Sequence, residues 1–168
     1  MARDAAESAV NDIPLKSLKD YPQSLAKLFG AFVTLRQNRE LRGCIGYIEG
    51  TKPLVETVQD AAEKSAMEDP RFHPVTPEEL ASLEIEISIL SPLQRITTID
   101  EIEIGKHGLV LEWKHSRGLL LPQVPLEYGW DREMFLNQVS RKAGMPAQTW
   151  KNPDAKLFIF SAEILGSR

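Results

Sequence analysis

At 168 residues the chain has the length of one domain, with room for two lobes, and can bury roughly two thirds of its unfolded surface around a core. Its 42% hydrophobic and 26% charged residues are those of a folded globular protein and exclude disordered and fibrous classes. A net charge of −4 argues against a broad nucleic-acid or anionic-membrane surface, and a single cysteine excludes an intrachain disulfide.

Ala2 to Asn11 predicts a short helix, with Ala5, Ala6 and Val10 among charges and Pro14 beyond its end. Asp4 and Glu7 stand where a signal peptide would place its apolar core, so a cytoplasmic location is expected. Leu15 to Tyr21 carries no decisive pattern. Ser24 to Phe29 leads into a strand over Ala31 to Leu35, with Ala31, Val33 and Leu35 on one face and Phe32 and Thr34 on the other. Asn38, which tolerates a left-handed conformation, turns the chain into a second strand over Leu41 to Ile48. Strict alternation there puts Leu41, Ile45 and Tyr47 on one face and Arg42 and Cys44 together on the other. Gly43 and Gly46 mark a bulge, a bend or the close approach of a backbone or ligand.

Pro53 suits a first helical position, and Leu54, Val58, Ala61 or Ala62, and Ser65 recur at helical spacing through Met67. Pro70 stops that helix and releases Asp69 into a loop. Thr76 to Glu79 reads as the start of a short helix, with Glu79 reaching back to the amide of the capping threonine. Glu84 to Ile89 alternates as a strand with an isoleucine face buried and a glutamate face wet. Gly105 to Gly108 predicts a turn, Leu109 to Trp113 a strand, Lys114 to Gly118 a second turn, and Leu119 to Leu121 a returning strand. Asp131 caps a helix through Ala143, with Phe135, Val139 and Ala143 inward and Gly144 beyond, and Leu157 to Ile164 is a last strand. The order β-β-α-β-β-β-α-β predicts α+β architecture with a mostly antiparallel sheet and flanking helices, with neither repeat nor linker. The longest apolar runs, such as Leu119 to Leu121, are far short of the roughly 20 residues that span a bilayer.

Cys44 could act as a nucleophile if a cation or a histidine base lowered its thiol pKa, and Arg42 is the nearest such cation in sequence. The competing reading is a small buried hydrophobe. Asp69 to Pro74 gathers an acid, an arginine, an aromatic and an imidazole in a proline-bounded loop, which serves either a site or an architectural clasp. Lys106 and His107, between two glycines, could face an anion or simply tip a turn, and the motif is not a phosphate loop. His73, His107 and His115 lack ligand spacing and no Cys-x-x-Cys exists, so neither a metal nor a cofactor is assigned.

Leu41-Arg42-Gly43-Cys44-Ile45-Gly46 resembles the signature hexapeptide of the AMMECR family. The similarity continues in Gly30 to Leu35, Asp69 to Phe72, Glu78 to Leu80, Ile85 to Ser88, Gly105 to Leu109, Leu121 to Val124, Gly129 to Asp131, Phe135 and Leu136, and Lys142 to Gly144, nearly the whole chain. Departures are a Gln37 to Glu40 turn without glycine and a short tail after Ile164.

The resemblance implies a single domain with two unequal lobes and a cleft between them holding the Arg42 to Gly46 segment. Microbial members look like the first component of a system with a Memo-type protein and a radical S-adenosylmethionine protein, and no activity is settled. The first expectation is an enzyme component that binds an anionic small molecule. Its ligand set would be Arg42, Gly43, Cys44, Gly46, Asp69, Arg71, Phe72, Lys106, His107, Arg117 and Lys142, with Cys44 as the candidate catalytic residue and Asp69 orienting Arg71. The alternatives are a non-catalytic scaffold for those partners and, more weakly, RNA binding with a steep salt dependence.

Overall fold

The computed structural model describes residues 1–16 and 20–166, so the centre of the Leu15 to Tyr21 stretch lies outside the described residues. The fold is α+β, with four α-helices and seven strands among the described residues, and every strand pair whose register is described is antiparallel. The chain divides into two compact units, Met1–Leu90 with Glu163–Arg168, and Ser91–Ala162.

In the first unit α1 (Ala2–Val10) and α2 (Leu54–Met67) pack against β1 (Gly30–Gln37), β2 (Glu40–Tyr47) and β3 (Leu83–Leu90). The strand order is β2-β1-β3, and Ala31, Val33 and Leu35 on β1 are fully buried with Val58, Ala61 and Ala62 of α2. The small residues of α2 let its backbone come down on the sheet, where Ser65 enters the β1–β2 ladder. Its hydroxyl accepts the Ile45 N–H at 2.8 Å and donates to the Val33 carbonyl at 2.8 Å. The β1–β2 turn needs no glycine because Asn38 and Arg39 both adopt left-handed backbone, with φ of 53° and 69°, as a tight two-residue hairpin requires.

Three expectations change in this unit. Leu35 pairs with Gly43 but Arg36 pairs with Leu41, so Arg42 is the extra residue of a β-bulge and drops out of strict alternation. Thr76 to Glu79 does not open an α-helix: turns lead into a single 3-10 turn over Leu80–Ser82, although Glu79 does accept the Thr76 N–H at 2.8 Å. On β3 the isoleucines are only partly buried against the core, whereas Ser88, on the glutamate face and in register with Phe32, is fully buried. The last residues of β7 (Lys156–Gly166), from Glu163 on, run beside β3.

The second unit holds β4 (Gln94–Ile96), β5 (His107–Trp113) and β6 (Ser116–Leu120) with the first part of β7. β7 pairs with β4 and β5, and β5 pairs with β6. The short α3 (Val124–Glu127) and then α4 (Arg132–Lys142) follow, and α4 buries Phe135, Leu136 and Val139 with Leu109, Leu111 and Ile159. His107 and Gly108 lie in β5 rather than in a turn, because both pair with β7 and the absent Cβ of Gly108 leaves room for the Phe160 ring. The second hairpin turns on Lys114 and His115 alone, with Trp113 opposite Ser116. Asp131 caps α4, its carboxylate accepting the Met134 N–H at 2.8 Å. Asp131→Ala is expected to lower stability by about 1 kcal/mol, read as a shift of the urea midpoint at constant slope.

Candidate functional site

β2 stands at the end of the strand order, so Cys44 turns one N–H and one carbonyl away from β1. Both are taken by the loop that follows α2. The Cys44 N–H donates to Asp69 Oδ2 at 2.8 Å, and Arg71 Nη2 donates to the Cys44 carbonyl at 3.3 Å. Asp69 in turn accepts Arg71 Nε at 2.9 Å, Nη2 at 2.6 Å and the Arg71 backbone N–H at 3.1 Å. With its side chain only 2% exposed, this carboxylate is held ionised in a largely dry place. The Arg71 guanidinium holds its pKa far below the ordinary carboxylate range, helped by the Cys44 and Arg71 amides and opposed by burial, while Arg71 itself is pushed up.

The bulge residue Arg42 fastens the other end of the same loop. Its Nε and Nη2 reach the two oxygens of Glu79 at 2.8 and 2.9 Å, and Nη1 and Nη2 donate to the carbonyls of His73 and Pro74 at 2.9 and 3.3 Å. Glu79 is shifted below its usual pKa, first by Arg42 and then by the Thr76 amide. Arg42 is thus largely committed to this loop rather than to the thiol.

The Cys44 thiol is part-buried, and its polar neighbour is Thr34 Oγ1 at 3.4 Å, directly across the ladder. Gly43 and Gly46 are explained by packing. A Cβ on Gly43 would lie 2.1 Å from the Ser65 carbonyl oxygen of α2, and one on Gly46 would meet Phe32 at 2.5 Å.

Beside the clasp a groove of about 450 Å³ is lined by Arg42, Pro70, Arg71, Phe72 and His73. Arg71 is 50% exposed there, and its Nη1 donors have no hydrogen-bond partner among the described residues. The Phe72 ring lies 5.4 Å from the guanidinium carbon. Arg42, Arg71, Asp69 and Phe72 are thereby brought together, with the Cys44 backbone, in the first unit.

The remaining expected residues belong to the second unit, where several have local partners. Lys106 pairs with Glu103 at 2.8 Å, and His107 Nδ1 accepts the Glu103 N–H at 3.2 Å. Arg117 pairs with Glu112 at 3.0 Å, and Lys142 sits in the exposed last turn of α4. Two groupings escaped sequence reading: Glu79 as the partner of Arg42, and a cluster of Tyr47, Asp60 and Lys64. In the latter Tyr47 donates a short hydrogen bond to Asp60, and Lys64 reaches the Tyr47 oxygen at 2.7 Å. Those bonds push Lys64 up to about 12. The signal available was the i,i+4 spacing of Asp60 and Lys64. Among the described residues no group of three or more His, Cys, Asp or Glu has a metal-ligand arrangement, and no helix is long and apolar enough to cross a membrane.

Comparison with known proteins covers nearly the whole chain. A family model described as AMMECR1 matches residues 1–165. A Thermococcus gammatolerans protein is 45% identical over 98% of this chain and 85% of its own length. Protein MJ0810 of Methanocaldococcus jannaschii is 43% identical over 88% of this chain and 77% of its own. The crystal structure of an uncharacterised Pyrococcus horikoshii protein, PH0010, matches with a TM-score of 0.90 at 40% identity, covering 97% of this chain and 85% of that one.

Proposed function

The chain belongs to the AMMECR1 family, and on that premise we propose that it binds a small anion in the groove beside Arg71. It would do so as a cytoplasmic, single-domain enzyme component in a modification pathway shared with a Memo-type protein and a radical S-adenosylmethionine protein. The observation that supports this reading is Arg71: its guanidinium is fixed by Asp69 and the Cys44 carbonyl through Nε and Nη2, its Nη1 donors have no partner among the described residues, and the residue lines the groove. A side chain already immobilised loses little further freedom when a ligand arrives, so more of the charge-assisted hydrogen-bond energy appears as affinity. Cys44 is tied to this guanidinium through its backbone carbonyl, while its thiol lies against Thr34 and is not part of the groove lining.

The test is calorimetric titration with phosphate and with acetate. Arg71→Gln is expected to weaken binding at least about tenfold, the scale of one charge-assisted hydrogen bond, with added salt weakening the parent further. Equal binding by parent and variant would remove the reading.

A scaffold role has one supporting observation of its own. In the second unit Leu126 and Tyr128 are 61% and 66% exposed, and Tyr128 stacks on Trp130 at 4.9 Å. Aromatic surface of this kind is enriched at protein interfaces. If capture of a Memo-type partner is lost in Tyr128→Ser while anion titration is unchanged, the scaffold reading prevails.

A further inference from the structure

Resting on the anion reading above, we infer that the ligand of the Arg71 groove is a flat ring bearing an anionic group. Volume is the first reason. The groove, which is open to solvent, offers about 450 Å³, within the range of small-molecule sites, whereas a water occupies only about 30 Å³ of liquid. An inorganic anion on Arg71 would leave most of that space filled with solvent.

The second reason is the chemistry of the walls. Two of the five lining residues, Pro70 and Phe72, present rings without side-chain donors or acceptors, and they flank Arg71 on either side in sequence. The Arg71 guanidinium carbon lies over the Phe72 ring, 5.4 Å from its centroid, and Pro70 adds apolar lining to the same groove. With one face of Phe72 covered by the guanidinium, a ligand ring extends the stack by packing on the Phe72–Arg71 pair while its anionic group meets the Nη1 donors. His73 and Arg42 complete the lining with polar groups, and Arg42 is anchored by Glu79, so it contributes shape and field rather than a mobile arm. A nucleoside monophosphate and an aromatic carboxylic acid share this chemistry.

Isothermal titration of the full chain with four probes separates the outcomes: adenosine monophosphate against inorganic phosphate, and benzoate against acetate. Each ring-bearing anion, or at least one of the two, is expected to bind about tenfold tighter than its ringless counterpart, the usual scale of a single stacking contact. Phe72→Ala is expected to erase that advantage, so that each ring-bearing anion binds no tighter than its ringless counterpart. Phe72→Leu, which keeps an apolar side chain of similar bulk, checks that the loss is one of stacking rather than folding. The monophosphate pair responding alone identifies a nucleotide source, and the carboxylate pair alone an aromatic acid. If ringless and ring-bearing anions bind equally, or if Phe72→Ala leaves the advantage intact, this inference is overturned and the anion reading stands. If none of the four binds, both fall.

Discussion

Asp69→Ala is expected to lower the stability of the chain by about 3 kcal/mol, among the largest effects of any single side-chain truncation in the first unit. The carboxylate accepts four hydrogen bonds, two from the Arg71 side chain, one from the Arg71 amide and one from the Cys44 amide. Removing it leaves a guanidinium without its counter-ion and a strand amide without an acceptor. The half-exposure of Arg71 lets water take up part of the loss, which is why the figure is not larger. At about 2–4 °C per kcal/mol for a chain of this size, the melting temperature should fall by about 6–12 °C.

The same carboxylate sets an acid limit. Its folded pKa lies below the 3.8 of an unperturbed aspartate. Its contribution is therefore complete above about pH 3.8 and disappears as the pH falls below that value toward the folded pKa. Asp69→Asn, which keeps the shape but cannot ionise, should be less stable than the parent at neutral pH and converge on it in acid. Urea midpoints measured from about pH 7 down to about pH 2.5 check this. A gap that stays constant over the whole range would show that charge plays no part.

Gly43→Ala is expected to cost at least about 3 kcal/mol, beyond ordinary overpacking, because the obstacle is backbone. The new methyl carbon would lie 2.1 Å from the Ser65 carbonyl oxygen. That oxygen cannot withdraw without moving α2, which is fixed to the sheet at the same point by the Ser65 hydroxyl. Gly129→Ala is the natural control. Nothing lies within 4 Å of its Cβ position, and only its φ of +64° opposes the change, so about 1 kcal/mol is expected. Thermal unfolding of the two variants side by side decides the matter: equal losses would mean that α2 can shift freely.

These cases show what the amino-acid pattern reveals and what it hides. α2, the first hairpin and α4 were readable because spacing and caps agreed: small residues at helical intervals, Asn38 at the turn, Asp131 before the helix. β4 and α3 were not, since three residues are too few to show alternation and Val124–Glu127 barely completes one turn around Pro125. The glycines near His107 suggested a turn, but that histidine pairs with Ser161, far along the chain, and such pairing leaves no local trace. At the site, Asp69 and Arg71 were legible as neighbours in a proline-bounded loop. The Arg42–Glu79 pair was not, because its partners lie 37 residues apart and Glu79 already had a local task at the Thr76 amide. The bulge at Arg42 was equally silent, and with it the separate destinations of Arg42 and the Cys44 thiol.

The way Asp69 and Arg71 hold Cys44 also bears on how copies of the chain treat one another. An edge strand with free amides and carbonyls is a template on which a second molecule can add a strand, and runaway addition leads to aggregates. On β2 the outward groups of Cys44 are already occupied by side chains, which cannot propagate a ladder as another strand would. The clasp thus works as a plug against self-assembly. Its loss should add to the drop in stability a disproportionate fall in soluble yield.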